Sequence, residues 1–298
     1  MLYKKTFLET HKQNLMTITG HTRVFMIVGD PVAQVRAPEI YNHIFQRHGV
    51  NAVLVPMKVP PGQLADFVRH SFMAENLGGM WVTIPHKTAM QALMDQCDPL
   101  AQLAGAVNAV RRNERGDIEG ALFDGVGFAK GLDHFGIALN GRRVLVVGAG
   151  GGGQAVAAAL ATRGVAHLAI YNRSTGRATE LVNRLAPAFG SMVAVAQTAD
   201  PAGYDLIVNC TSQGLKADDA LPFDPRRVDK GAEVVDIIMT RQPTPLLRAC
   251  AELGVPAHAG FEMLVQQIPE YLKFFGMPEL AQTLQGDLSE VRTLLYPQ

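Results

Sequence analysis

Two stretches of this sequence hold residues whose types and spacing suit chemistry. The first is Arg143-Val-Leu-Val-Val-Gly148-Ala-Gly150-Gly151-Gly152-Gly153-Gln-Ala, an apolar strand, a G-x-G-x-x-G turn and an alanine-rich helix in succession. Glycines at this spacing let the chain turn tightly and bring its amides against a pyrophosphate, and the following helix presents its positive end to the same anion. A lone glycine motif is weak evidence; strand and helix on either side make it strong. Nineteen residues beyond Gly153 stands Asn172, followed by Arg173, Ser174 and, one turn on, Arg177. An acidic residue there would pair with the ribose of NAD, whereas this set offers cationic and hydroxyl donors to a 2′-phosphate. NADP is therefore the expected cofactor, with NAD the alternative if the two arginines are only solvated helix-start residues.

The second stretch is Trp81-Val-Thr83-Ile-Pro85-His86-Lys87, which sets a lysine just past a strand at the start of a helix. The helix dipole opposes a positive charge at that end, which suits a group that hands over a proton. Further on, Leu103-Ala-Gly-Ala-Val-Asn108 and Phe123-Asp124-Gly125-Val-Gly127 supply an amide and a carboxylate, each flanked by small residues. Both are expected to face a cleft. His86, beside Lys87, reads as a half-exposed helix cap, and each residue taken alone reads as an ordinary surface or turn residue.

The elements that must position these groups follow from the apolar periodicity. Strands are expected at 24–28, 52–58 and 80–84, with a helix carrying Ile40, Tyr41, Ile44 and Phe45 and others opening after Pro60-Pro61 and after Pro85. A second strand-helix run has strands at 144–147, 168–171, 193–195, 206–209 and 234–238. The alternation specifies an α/β fold of two domains, an amino-terminal α/β substrate domain and a Rossmann-type doubly wound dinucleotide domain. The expected bounds are an extension over 1–20, the substrate and catalytic domain over 21–120 plus 258–298, and the dinucleotide domain over 121–257. Hinges are expected as short loops near 120–127 and 256–260. The helical segment from Gly260 onward contains Pro269, which predicts a kink or a short break.

Bulk properties narrow the function classes. A 298-residue chain exceeds the size at which one core usually keeps growing. Its 27 basic and 27 acidic residues cancel, so no global field draws it to nucleic acid or to an anionic membrane. No stretch reaches the roughly 18 apolar residues of a membrane span. Cys97, Cys210 and Cys250 lack metal-ligand spacing, and the expectation is reduced thiols, no metal and a cytoplasmic location. The expected partner is a small molecule, with a homodimer open.

The V-T-I-P-x-K, A-G-A-V-N, D-G-x-G and G-A-G-G segments, in this order, resemble the shikimate dehydrogenase family. The resemblance extends to Gly29-Asp-Pro-Val, Asn209-Cys-Thr211-Ser, Asp236 and Met263-Leu-Val-Gln-Gln267, and so covers nearly the whole chain from Thr22. It implies Lys87 and Asp124 as the catalytic pair, and Asn108, Gln267 and Thr83 as substrate-binding residues. Gly148, Gly150, Gly151, Gly152, Gly153, Asn172, Arg173, Ser174, Arg177, Thr211 and Gly260 are implied on the cofactor side. Where members acting on shikimate carry two serines that hold the substrate carboxylate, this chain has Val35 and Ala37. Neither side chain donates, and losing two such bonds costs on the order of 1.5 to 3 kcal/mol each. Arg36 between them is the expected substitute donor. The resemblance implies NADP-dependent reversible oxidation of a ring hydroxyl of shikimate or a related cyclic hydroxy acid; Trp81, Leu122, Phe123 and Met239 are more apolar than the family pattern, so the expectation is a substrate other than plain shikimate or a weak shikimate activity in a divergent paralogue. Two other readings stay open: a catalytically silent dinucleotide-binding regulatory module, and a dehydrogenase of a different, more apolar substrate. Dehydrogenases of folate one-carbon carriers share the two-domain plan but lack the A-G-A-V-N and D-G-x-G segments.

Overall fold

The computed structural model describes residues 17–240 and 243–295. The expected extension over 1–20 lies mostly outside the described residues. The chain divides into two compact units, 1–86 and 87–298.

In the first unit, β1 (Arg23–Gly29) pairs in parallel with β2 (Ala52–Lys58) on one side and β3 (Leu77–Val82) on the other. Parallel neighbours require a crossover, supplied by α1 (Ala37–Arg47) and by a 3₁₀ turn at Pro61–Gln63 leading into α2 (Leu64–Ser71). The stripe Ile40, Tyr41, Ile44 and Phe45 is fully buried, as its spacing requires. Trp81 completes this core, its ring edge-on to Tyr41 and Phe25 at centroid distances of 4.6 and 5.4 Å.

The second unit opens with α3 (Lys87–Gln91), β4 (Gln96–Cys97), α4 (Pro99–Ala104), β5 (Ala109–Arg112), β6 (Ile118–Ala121) and α5 (Asp124–Phe135). Strands β5 and β6 form an antiparallel hairpin, and β4 pairs in parallel with β6. The loop-like hinge expected near 120–127 is instead the end of a strand and the first turn of a helix, joined by Leu122 and Phe123 alone. Glycine explains the difference, since here it serves helix packing. A Cβ on Gly125 would stand 2.4 Å from the carbonyl oxygen of Ala155, and one on Gly127 would stand 2.3 Å from that of Met263.

The remainder is a doubly wound sheet. Strands β7 (Arg143–Val147), β8 (His167–Tyr171), β9 (Val193–Val195), β10 (Leu206–Asn209), β11 (Glu233–Asp236) and β12 (Ala257–Ala259) lie all parallel in the order β12-β11-β10-β7-β8-β9. Helices α6 (Gly151–Ala161), α7 (Thr175–Phe189) and α8 (Pro245–Leu253) provide crossovers. The loop expected near 256–260 is mostly β12. Because helices cover both faces, the central strands are apolar at nearly every position, and Val144, Leu145 and Val146 are completely buried. The chain ends in α9 (Phe261–Gln266), α10 (Ile268–Phe274), α11 (Pro278–Gly286) and α12 (Ser289–Leu295). The predicted break is there: Gln267 separates α9 from α10, and Pro269 sits in the first turn of α10, where its missing N–H would have had no helical partner. Among the described residues no helix is long and apolar enough to cross a membrane.

Candidate active site

Lys87 Nζ donates to Asp124 Oδ2, with both side chains largely withdrawn from solvent. A short network of hydrogen bonds sets this pair. Val107 N donates to Lys87 O at 2.9 Å, Asn108 N donates to Ala121 O at 2.9 Å, and Phe123 N donates to the side-chain Oδ1 of Asn108 at 2.9 Å. Residues 107 and 108 therefore act as a spacer that fixes the start of α3 on one side and the start of α5 on the other. The small residues of the A-G-A-V-N segment make this possible, since Ala104, Ala106 and Val107 are fully buried.

With its Oδ1 committed to Phe123, Asn108 presents Nδ2 as a free donor. Among the described residues that buried atom meets no hydrogen-bond partner, and neither does the buried Oε1 of Gln267. The backbone of Asn108 is held by Tyr271 of α10, whose hydroxyl donates to Asn108 O at 3.1 Å. Gln267 stands against Gly127, one helical turn from Asp124; a Cβ on that glycine would come within 2.9 Å of the Gln267 Cβ. One donor and one acceptor, buried and unmatched, describe a place for a hydroxyl group, which accepts and donates at once.

The glycine turn has the geometry that its composition implied. Gly148 takes φ +112°, and a Cβ there would lie 2.7 Å from the backbone of Cys210; a Cβ on Gly153 would lie 1.9 Å from Gly148 O. Around Gly150 the space is open, and α6 begins without a capping side chain. Its first-turn amides thus remain available to an anion. Asn172 braces the turn, accepting from Ala149 N at 3.0 Å and donating to Ser174 O at 3.0 Å. Arg173 and Arg177 are exposed and make no ion pair among the described residues, unlike Arg142, Arg163 and Arg227. A dinucleotide carrying a 2′-phosphate fits this set. The turn also adjoins Lys87, since a Cβ on Gly151 would contact the Lys87 stem at 3.1 Å.

A second polar corner closes the carboxyl ends of β10 and β11. Asn209 Nδ2 donates to Asp236 Oδ1 at 3.0 Å, and Thr244 Oγ1 donates to Asp236 Oδ2 at 2.6 Å. Asn209 Oδ1 accepts from Thr211 N and Oγ1, so Thr211 is tied into the loop. Burial pushes the Asp236 carboxyl up, against the pull of Thr244, Ile238 and Asn209, and burial likewise pushes up the Cys210 thiol. Gly260 approaches the Ile237 backbone too closely for any side chain. Asn209 and Asp236 are legible as polar residues ending two strands at the edge where ligands of such sheets bind, and Thr244 as the cap of the helix that follows.

In the first unit, Thr83 follows β3 and donates its N–H to Val28 O at 2.9 Å. Arg36 is the residue before α1, and its guanidinium holds both carboxylate oxygens of Glu39, at 2.6 and 3.1 Å. Val35 is partly buried and Ala37 buried. His86 is not the expected half-exposed cap: it is buried, and its Nε2 donates to Val59 O at 2.7 Å. Leu122 is fully buried, and Phe123 packs against Tyr271 and Phe274, so both are packing residues.

Residues 27–110 match the shikimate dehydrogenase substrate binding domain, and residues 131–220 match shikimate / quinate 5-dehydrogenase. Shikimate dehydrogenase (NADP(+)) of Geobacter metallireducens is 38% identical over 260 residues, covering 85% of this chain and 90% of that protein. The chain belongs to the shikimate dehydrogenase family. Among solved members of similar fold, shikimate 5-dehydrogenase from Listeria monocytogenes, in complex with shikimate and NAD, superposes with a TM-score of 0.80 at 26% identity over 94% of this chain and 98% of that one. The 5-ketofructose reductase of Gluconobacter gives a TM-score of 0.75 at 27% identity over 89% and 98% of the two chains. The family's V-T-[VI]-P-x-K and D-G-x-G segments are thus the two that carry the Lys87–Asp124 pair.

Proposed function

We propose that this chain catalyses the reversible, NADP-dependent oxidation of a ring hydroxyl in shikimate or a related cyclic hydroxy acid. The observation that carries the reading is the withdrawn Lys87–Asp124 pair standing in the same unit as two unmatched buried amide atoms. Lys87 exchanges a proton with the reacting oxygen, and Asp124 fixes the ammonium by a charged hydrogen bond. Asn108 Nδ2 and Gln267 Oε1 engage substrate hydroxyls and orient the ring, with Thr83 as a further substrate contact. NADP, when bound, would supply the hydride acceptor or donor of the reaction. Gly148, Gly150, Gly151, Gly152 and Gly153 receive the pyrophosphate, Asn172 shapes the turn, Arg173, Ser174 and Arg177 bind the 2′-phosphate, and Thr211 and Gly260 shape the loops beside it. Residues 21–120 with 258–298 serve the substrate and 121–257 the dinucleotide, in a cytoplasmic enzyme.

One observation favours a variant of this reading. Arg36 turns the Nε–Nη2 edge of its guanidinium to Glu39, and the side chains of Val35 and Ala37 have no donor to give. A substrate that does not depend on a carboxylate contact at this segment fits better than plain shikimate.

The test is nicotinamide absorbance with NADP or NAD over a panel of shikimate, quinate and uncharged cyclic or linear polyols. Turnover should depend on Lys87, with Lys87→Ala losing about 10²- to 10⁴-fold in kcat. Undiminished turnover in that variant overturns the mechanism. Dinucleotide binding with no turnover on any member of the panel overturns the substrate class.

A further inference from the structure

We propose that Asp98 is a positioning residue for the Lys87–Asp124 pair, acting through the two-residue link that presents Asp124. The inference rests on the assignment of that pair as catalytic. Asp98 is the residue before α4, and its Oδ1 accepts from Ala101 N at 2.5 Å, an ordinary helix cap. Its other oxygen does something a cap does not require: Oδ2 accepts from Leu122 N at 3.2 Å, 24 residues further along the chain. The backbone of Asp98 reinforces this link, its N–H donating to Gly120 O at 3.0 Å.

Leu122 and Phe123 are the whole connection between β6 and α5. Helix α5 begins at Asp124 with no capping side chain of its own. The link is instead hung from two side chains, Leu122 N from Asp98 and Phe123 N from Asn108. Leu122 is completely buried with the partly exposed Asp98 in place, so removing the Asp98 carboxylate takes away the acceptor that holds this N–H, and the link loses the bond that fixes it. Asp124 is the second residue along and moves with it. Burial pushes the Asp98 carboxyl up, against the amides of Ala101, Leu122 and Leu100. Serine would cap α4 without that desolvation cost, but its single short oxygen would not span to Leu122.

This difference gives the experiment. Asp98→Ser keeps a good helix cap and removes the link to Leu122, and Asp98→Asn keeps one acceptor and turns an amide N–H2 toward the other donor. Both are compared with wild type and Lys87→Ala. For Asp98→Ser we expect Tm close to wild type, KM for NADP unchanged, kcat lowered about tenfold and a larger solvent deuterium isotope effect on kcat, because a misplaced pair slows proton transfer. Asp98→Asn should follow the same pattern. Wild-type kcat and isotope effect in Asp98→Ser, beside an inactive Lys87→Ala, overturn the positioning role alone. A kcat loss that comes with an equal rise in KM for NADP and a fallen Tm also overturns it, since that is general destabilisation. Full activity in Lys87→Ala removes the catalytic assignment and this proposal with it.

Discussion

Two polar corners of the second unit are equally dry and differently finished. At the ends of β10 and β11, Asn209, Asp236 and Thr244 are at most 2% exposed, and each side chain is matched. At the start of α5, Asn108 and Gln267 are as deeply buried, yet each keeps one polar atom without a partner. An unmade buried hydrogen bond costs about 1 to 3 kcal/mol, so a scaffold has every reason to close such gaps. The first corner is closed because its task is to hold loops, among them the one bearing Thr211. The second is left open, and under the proposed function the substrate is the partner that closes it.

The contrast is easiest to break at Asn108. Asn108→Ala removes both the free donor and the acceptor that holds Phe123 N, and kcat/KM should fall about 10³-fold in steady-state assays. A change of only a few-fold would mean that the open corner is not a substrate site. Asn209→Leu attacks the closed corner, where it strips partners from Asp236 and Thr211; denaturant titration should show a loss of about 3 kcal/mol in unfolding free energy. Gln267→Leu sharpens the comparison, because an apolar group of similar shape relieves an unmatched acceptor. It should leave Tm unchanged or raised while kcat/KM falls about tenfold. A lowered Tm would place Gln267 with the scaffold residues instead.

The smallest effect is a pH trend. Because burial raises the folded-state carboxyl of Asp236 above its unfolded value, its contribution to stability is full below the unfolded value of about 3.9 and is lost as pH rises through the folded one. Paired thermal scans should therefore show the wild type losing stability relative to Asp236→Asn across that window and holding a constant difference above it. A flat difference throughout would mean the carboxyl is not penalised by its burial.

Much of the fold was legible because its parallel strands are continuous apolar runs. The run over 52–58 and those over 193–195 and 206–209 match their strands residue for residue. The β5–β6 hairpin was missed because its residues are Ala-Val-Arg-Arg and Ile-Glu-Gly-Ala, charged and without clean alternation. Its stability comes from outside the local sequence, with Arg111 bonded to Glu119 and to Phe274 O and stacked over the Phe274 ring. For the candidate site, the closeness of Lys87, Asp124 and the glycine turn was readable because they are chemical groups in recognisable surroundings. Asp98 was not, since a cap residue reveals in sequence only one of its two bonds. Arg184, whose Nη1 donates to Ala104 O at 2.6 Å and whose guanidinium fills the space a side chain on Gly105 would need, was unreadable for the same reason.

The β5–β6 hairpin has a practical side. Its tip, Asn113 to Asp117, lies in sequence between Asn108 and Asp124, but the bonds that place those two residues bypass it. Asn113 accepts from Arg115 N and Asp117 N, closing the turn upon itself. An affinity tag or a fluorescent reporter spliced in at the exposed Gly116 would therefore ride on a turn closed by Asn113 and anchored by Gln96, whose Nε2 donates to Asp117 Oδ2 at 3.0 Å. That makes it a labelling point in the middle of the polypeptide that leaves Lys87 and Asp124 where they are.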